Sequence, residues 1–152
     1  MCGSPWPTAP ARWLTRIDEI NSLLTSHTNE EGAAFLDGIF KDLDFSFFVS
    51  DRDKTRIPSH GRLIIVANHP LGALDAMALV RAVLDARPDV RVVVNNVLMR
   101  VENLARHFLP YAFSGAPQRS FVTAIGRALE EESALVIFPS GAVSSLTSGG
   151  LR

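Results

Sequence analysis

The sequence predicts an α/β fold, a mostly parallel sheet flanked by helices, with an N-terminal helical cap. Three observations lead there. A short unbroken apolar run at Leu63–Ala67, a β-branched run at Val90–Val94 and an apolar run at Ala134–Phe138 recur along the chain, as expected of buried strands, the first of them buried on both faces. Between them lie segments whose apolar residues return every three or four positions, the helical period. The composition, 47% hydrophobic and 20% charged over 152 residues, is that of a globular chain long enough for one core.

The elements follow in order. Residues 1–10 hold Pro5, Pro7 and Pro10 and predict a flexible lead-in. Trp13, Leu14, Ile17, Ile20, Leu23 and Leu24 predict a first helix. Asn29 is the expected N-cap of a second, with Glu30 and Glu31 in its first turn and an apolar face of Phe35, Leu36, Ile39, Phe40 and Leu43. Residues 11–44 thus read as a helical cap and 45–152 as the α/β core of the same domain. Phe45–Val49 reads as a strand or as a tight cover on the core. Asp51–Arg56 reads as a solvated loop, and Pro58–Gly61 as a turn. Helices are expected at Ala73–Leu84, Val97–Phe108 and Arg119–Glu131, and a short strand at Leu109–Phe113.

Composition also excludes function classes. A net charge of −1 offers no basic surplus for neutralising nucleic-acid phosphates. The one cysteine, Cys2, rules out an internal disulfide and a Cys/His metal cluster, and is compatible with a reducing, cytosolic compartment. No apolar run approaches the roughly 20 residues of a membrane span. The first ten residues lack a basic start followed by an apolar block, so no secretory signal is expected.

Ligands of open parallel sheets bind where strands end. Asn68-His69-Pro70-Leu71-Gly72-Ala73-Leu74-Asp75 follows the first strand, Asn95-Asn96 the second, and Pro139-Ser140-Gly141-Ala142-Val143 the last. An imidazole can take a proton from a hydroxyl near neutral pH, so His69 suits a general base. Asp75, in the first turn of the next helix, is placed to fold back and hold the ring. A carboxylate there equally suits the helix dipole, and His69 equally suits a hydrogen-bonded loop histidine. His27, His60 and His107 lack such a setting and read as structural or solvated. Gly141 suits a turn, or backbone N–H groups from Ser140 onward form an anion nest. Ser140 as a nucleophile lacks the G-x-S-x-G frame.

The block Asn68–Asp75 followed by Ile137-Phe138-Pro139-Ser140-Gly141 resembles the lysophospholipid acyltransferase superfamily. The likeness is greatest to the hemolysin-like and ornithine-lipid acyltransferase branch, with its N-H-P-x-G-x-x-D/E block. The resemblance implies acyl transfer from acyl-CoA or acyl-carrier protein to a lipid hydroxyl, with no cofactor and no metal. His69 is then the base and Asp75 its partner. Asn68, Gly72, Asn96, Arg119, Ser140 and Gly141 are then substrate-binding residues. Two departures stand out. Ser140 and Val143 replace the Glu and Arg of the usual P-E-G-T-R block, which disfavours a lysophosphatidate acceptor, and the His–Asp spacing is one residue longer than usual. Relatives continue past the point corresponding to Arg152, so the expectation is an incomplete core with an uncovered sheet edge and weak stability or activity. A lipid substrate implies peripheral contact with the inner face of the membrane. The Trp13–Leu24 stripe, with Arg12 and Arg16, suits either that interface or packing on the sheet. The alternatives to a transferase are a serine hydrolase or thioesterase using Ser140, and a non-catalytic lipid-binding module.

Overall fold

The expected apolar runs do form a parallel sheet. A computed structural model describes residues 21–112, 119–139, 146–147 and 150–151. The elements are α1 (residues 21–26), α2 (Gly32–Asp42), a one-turn α3 (Asp51–Lys54), β1 (Leu63–Val66), α4 (Ala73–Leu84), β2 (Val90–Asn95), two 3-10 turns (Asn96–Arg100 and Glu102–His107), β3 (Phe108–Tyr111), α5 (Arg119–Glu130), β4 (Ala134–Ile137), and a short antiparallel pair, β5 (Leu146–Thr147) with β6 (Gly150–Leu151). The strand order is β1-β4-β2-β3, and every neighbouring pair is parallel.

α2 and α4 cover one face of this sheet. Phe35, Leu36, Ile39 and Phe40 of α2 and Val80 and Val83 of α4 pack with Val90, Val92 and Val94 of β2 and Ala134 and Val136 of β4. α5 lies over the opposite face, against β3 and β4. Strand alternation then sends Arg91, Val93 and Asn95 of β2 towards α5. At the β1 edge, Ile64 and Val66 are 53% and 64% exposed, so the expectation of a first strand buried on both faces is corrected: only its Leu63–Ile65 side packs on the core.

Other differences have local causes. α2 starts at Gly32 with Glu31 as its N-cap, not at Asn29, because residues 27–29 close a turn at the end of α1 and Gly32 takes a positive φ of 56°. His27 sits in this corner, its Nδ1 3.0 Å from Glu30 and its Nε2 3.0 Å from Asp42. Gly38 makes room for it, since a Cβ there would lie 2.5 Å from the ring. Phe45–Val49 is the cover rather than a strand: Phe45 and Phe47 pack on Phe40 at ring distances of 5.3 and 5.6 Å. The charged stretch from Asp51 is exposed as expected but is helical, because Ser50 caps the Asp53 N–H. The helix expected at Val97–Phe108 is instead two 3-10 turns broken at Val101.

The lower ends of the strands are tied by Arg87, whose side chain is 1% exposed. It donates to both carboxylate oxygens of Asp89 at 2.7 Å, and to the carbonyls of Pro58 (3.2 Å), Gly61 (2.8 Å) and Glu132 (2.6 Å). The approaches to β1, β2 and β4 thus meet on one guanidinium.

Candidate active site

The loop leaving β1 must turn sharply into α4, and Gly72 permits it. Its φ of 70° and ψ of −130° form the N-cap of α4, a conformation open to glycine and strained for other residues. The turn brings Asp75 back over the loop. Its Oδ2 accepts the Leu71 N–H at 2.6 Å and its Oδ1 lies 2.5 Å from His69 Nδ1. A carboxylate can only accept, so Nδ1 carries a proton, and in the neutral ring Nε2 is then the nitrogen with the lone pair. Phe138, just past β4, stacks on the imidazole at 4.5 Å. Carboxylate and ring face therefore fix the imidazole together, while its side chain stays about one-fifth exposed (19%).

His69 opens onto a cavity of about 510 Å³ between α5 and the upper half of the sheet. Val93 and Ile137 form the sheet wall, Phe121, Val122 and Ile125 the α5 wall, and Leu98 and Tyr111 one side. The space is mainly apolar, with His69, Asn95 and Tyr111 as its hydrogen-bonding side chains. A base at the mouth of an apolar slot can deprotonate a hydroxyl whose reaction partner carries a hydrocarbon chain.

The other expected site residues fall as follows. Asn68 is exposed, immediately before His69. Gly72 is buried and shapes the loop. Asn96 is exposed and opens the first 3-10 turn without lining the cavity; its neighbour Asn95 lines it instead. Arg119 is exposed at the start of α5, two residues before Phe121. Ser140 and Gly141 lie outside the described residues. Sequence reasoning passed over Asn95 and the stacking role of Phe138. Strand alternation continued from Arg91 and Val93 was the available signal for Asn95.

His107 and His27 do structural work. His107 is buried: its Nδ1 donates to the Val90 carbonyl at 3.0 Å and its Nε2 accepts from Arg106 Nε at 3.0 Å. Burial pushes its pKa down, and the charges of Arg106 and Arg91 add to that against the backbone bond. The His27 pKa is raised, chiefly by its hydrogen bond to Asp42; burial opposes this, and Glu30 adds to the rise. Among the described residues, no group of three or more His, Cys, Asp or Glu side chains is placed to hold a metal ion, and no helix is long and apolar enough to cross a membrane.

Comparison with known proteins places the chain in a family. The chain is 29% identical over 136 residues to a lyso-glycine lipid O-acyltransferase of Phocaeicola vulgatus, covering 89% of this chain and 48% of that protein. It is 30% identical over 137 residues to a lyso-glycine lipid O-acyltransferase of Bacteroides thetaiotaomicron, covering 89% of this chain and 49% of that protein. The chain thus spans about half the length of the curated relatives it matches. No solved structure matches it significantly. A family model described as an acyltransferase matches residues 4–151, nearly the whole sequence, and on that extent of likeness the chain belongs to the acyltransferase family.

Proposed function

We propose that this chain carries the catalytic site of an O-acyltransferase that moves a fatty acyl group from an acyl thioester to a lipid hydroxyl. The observation that carries the reading is the imidazole of His69, held through Nδ1 by Asp75 and exposed to an apolar cavity on its other side. The acyl chain occupies the slot between Val93, Ile137 and Ile125, where each buried methylene contributes about 0.8 kcal/mol. Nε2 of His69 takes the proton of the acceptor hydroxyl as its oxygen attacks the thioester carbon. Asp75 stabilises the imidazolium that forms and holds the ring aligned. The thiolate of acyl-CoA or acyl-carrier protein then leaves and recovers the proton. No covalent enzyme intermediate is required.

The acceptor is a lyso-lipid. The relatives' names support an amino-acid lipid, and Ser140 and Val143, standing where many lysophosphatidate enzymes carry Glu and Arg, support an acceptor without a phosphate monoester. Such a substrate puts the protein in the cytoplasm, peripherally on the inner face of the membrane. The test is transfer of labelled palmitate from palmitoyl-CoA, and from acyl-carrier protein, to lyso-glycine lipid, lysophosphatidate and a lyso-ornithine lipid. His69→Ala is expected to abolish transfer, and Asp75→Asn to lower kcat by roughly 10²–10⁴. Ser140→Ala separates this chemistry from hydrolysis: a serine hydrolase would lose all activity with it. Full transfer by His69→Ala sinks the reading.

A further inference from the structure

We infer that Asn95 is a catalytic residue of this acyl transfer, its side-chain amide donating to the thioester oxygen as that oxygen becomes an oxyanion. The inference rests on the function proposed above and adds to it a residue on a different strand from the base.

Position supports this role. Asn95 is the last residue of β2 and lines the same cavity as His69. The ladders pair Val66 with Ile137 and Val136 with Val92. Continued upward, they bring Asn68, Pro139 and Asn95 to one level across the strand ends, with His69 one residue further. β4 lies between β1 and β2, so the base and the amide stand two strand spacings apart, about 10 Å between backbones. That gap accommodates one acyl carbon with a proton acceptor on one side and a donor on the other.

Orientation supports it as well. Asn95 Oδ1 accepts the Val97 N–H at 3.0 Å, capping the 3-10 turn. A backbone N–H can only donate, so the amide oxygen is identified and Nδ2 points away from the turn. Nδ2 makes no hydrogen bond to a described residue. The cap by itself does not call for an amide, because Asp, Ser and Thr cap as well or nearly so. Of these four, Asn alone adds a two-proton neutral donor. Asn95 is itself exposed at the end of β2, beside the apolar lining of the cavity; a donor already held in place by the turn costs no reorganisation as the negative charge develops.

The acceptor oxygen forms a bond to the thioester carbon while Nε2 of His69 removes its proton. The C=O π pair moves onto oxygen, and Nδ2–H of Asn95 holds that charge. The pair then returns, the C–S bond breaks, and the sulfur leaves with the proton from His69.

The experiment compares Asn95→Asp, Asn95→Ser and His69→Ala with the wild-type chain in palmitoyl transfer to lyso-glycine lipid, with thermal melts alongside. Asp and Ser keep the cap and remove the amide. The expected result is a kcat lowered roughly 10²–10³-fold in both, with unchanged KM for palmitoyl-CoA and unchanged Tm. Ser, being neutral, excludes a simple charge effect of Asp, and it carries the test if Asp does not fold. Wild-type kcat in Asn95→Ser overturns the inference, as does a kcat loss that merely follows a falling Tm. If His69→Ala is inactive while the Asn95 variants are active, only this inference falls. If His69→Ala keeps full activity, or the wild-type chain transfers nothing, the proposed function falls and takes this one with it.

Discussion

Arg87→Met tests whether one guanidinium holds the base of the sheet together. The substitution preserves most of the apolar stem and removes the charged head. Five hydrogen bonds are lost, two of them to the carboxylate of Asp89 and three to carbonyls that precede β1 and β4. Removing one partner of a buried ion pair costs about 3–5 kcal/mol. Asp89 is 41% exposed and recovers part of its hydration, which places the loss near the lower end of that range. For a chain of this length, that corresponds to a Tm lower by roughly 10 °C. Urea unfolding followed by circular dichroism is expected to show a lower midpoint with unchanged slope. Asp89→Asn should cost less, and in the double variant most of the coupling should vanish. The site at the other end of the strands should keep its KM. A loss below about 1 kcal/mol would refute the argument that these bonds are worth more in the interior than in water.

Three further outcomes follow from the same structure. The lowered pKa of His107 means that its contribution is complete above the unfolded value of 6.5 and is lost as pH falls through the lower folded value; the raised pKa of His27 means that its contribution is complete below 6.5 and is lost as pH rises through the higher folded value. Stability measured from pH 5 to 9 should therefore lose its acid limb in His107→Gln and its alkaline limb in His27→Gln, and unchanged limbs would contradict the assignment. Gly72→Ala should cost about 1–3 kcal/mol in urea unfolding, because alanine is strained at a φ of 70° and ψ of −130°, and transfer activity should fall with it as His69 and Asp75 move apart. Ile125→Phe should shift donor preference towards shorter chains, by roughly fourfold in kcat/KM for each methylene excluded, read from competition between acyl-CoA lengths; an unaltered preference would mean that the acyl chain lies elsewhere.

Legibility in the sequence followed the range of the interactions. β1, β2, β4, α4 and α5 appeared within a residue or so of their final bounds, because periodicity and apolar runs are local signals. The His69–Asp75 pair was legible too, since a strand, a glycine turn and a helix lie within seven residues and their geometry is set locally. The 3-10 turns at 96–107 were not. Their apolar pattern suits a helix, but Asn95 caps a tight turn and Val101 breaks the run. The strand order β1-β4-β2-β3 was also hidden, because pairing depends on which crossover packs on which face.

The α/β class and the His69–Asp75 pair can be read from the chain alone, because both arise from neighbours along it. Long-range packing set the rest: β4 enters between β1 and β2, Arg87 gathers three strand approaches, and Asn95 rather than Asn96 faces the cavity below His69. Those features join residues dozens of positions apart, and loop closure and packing, which set them, leave no period to read in the sequence.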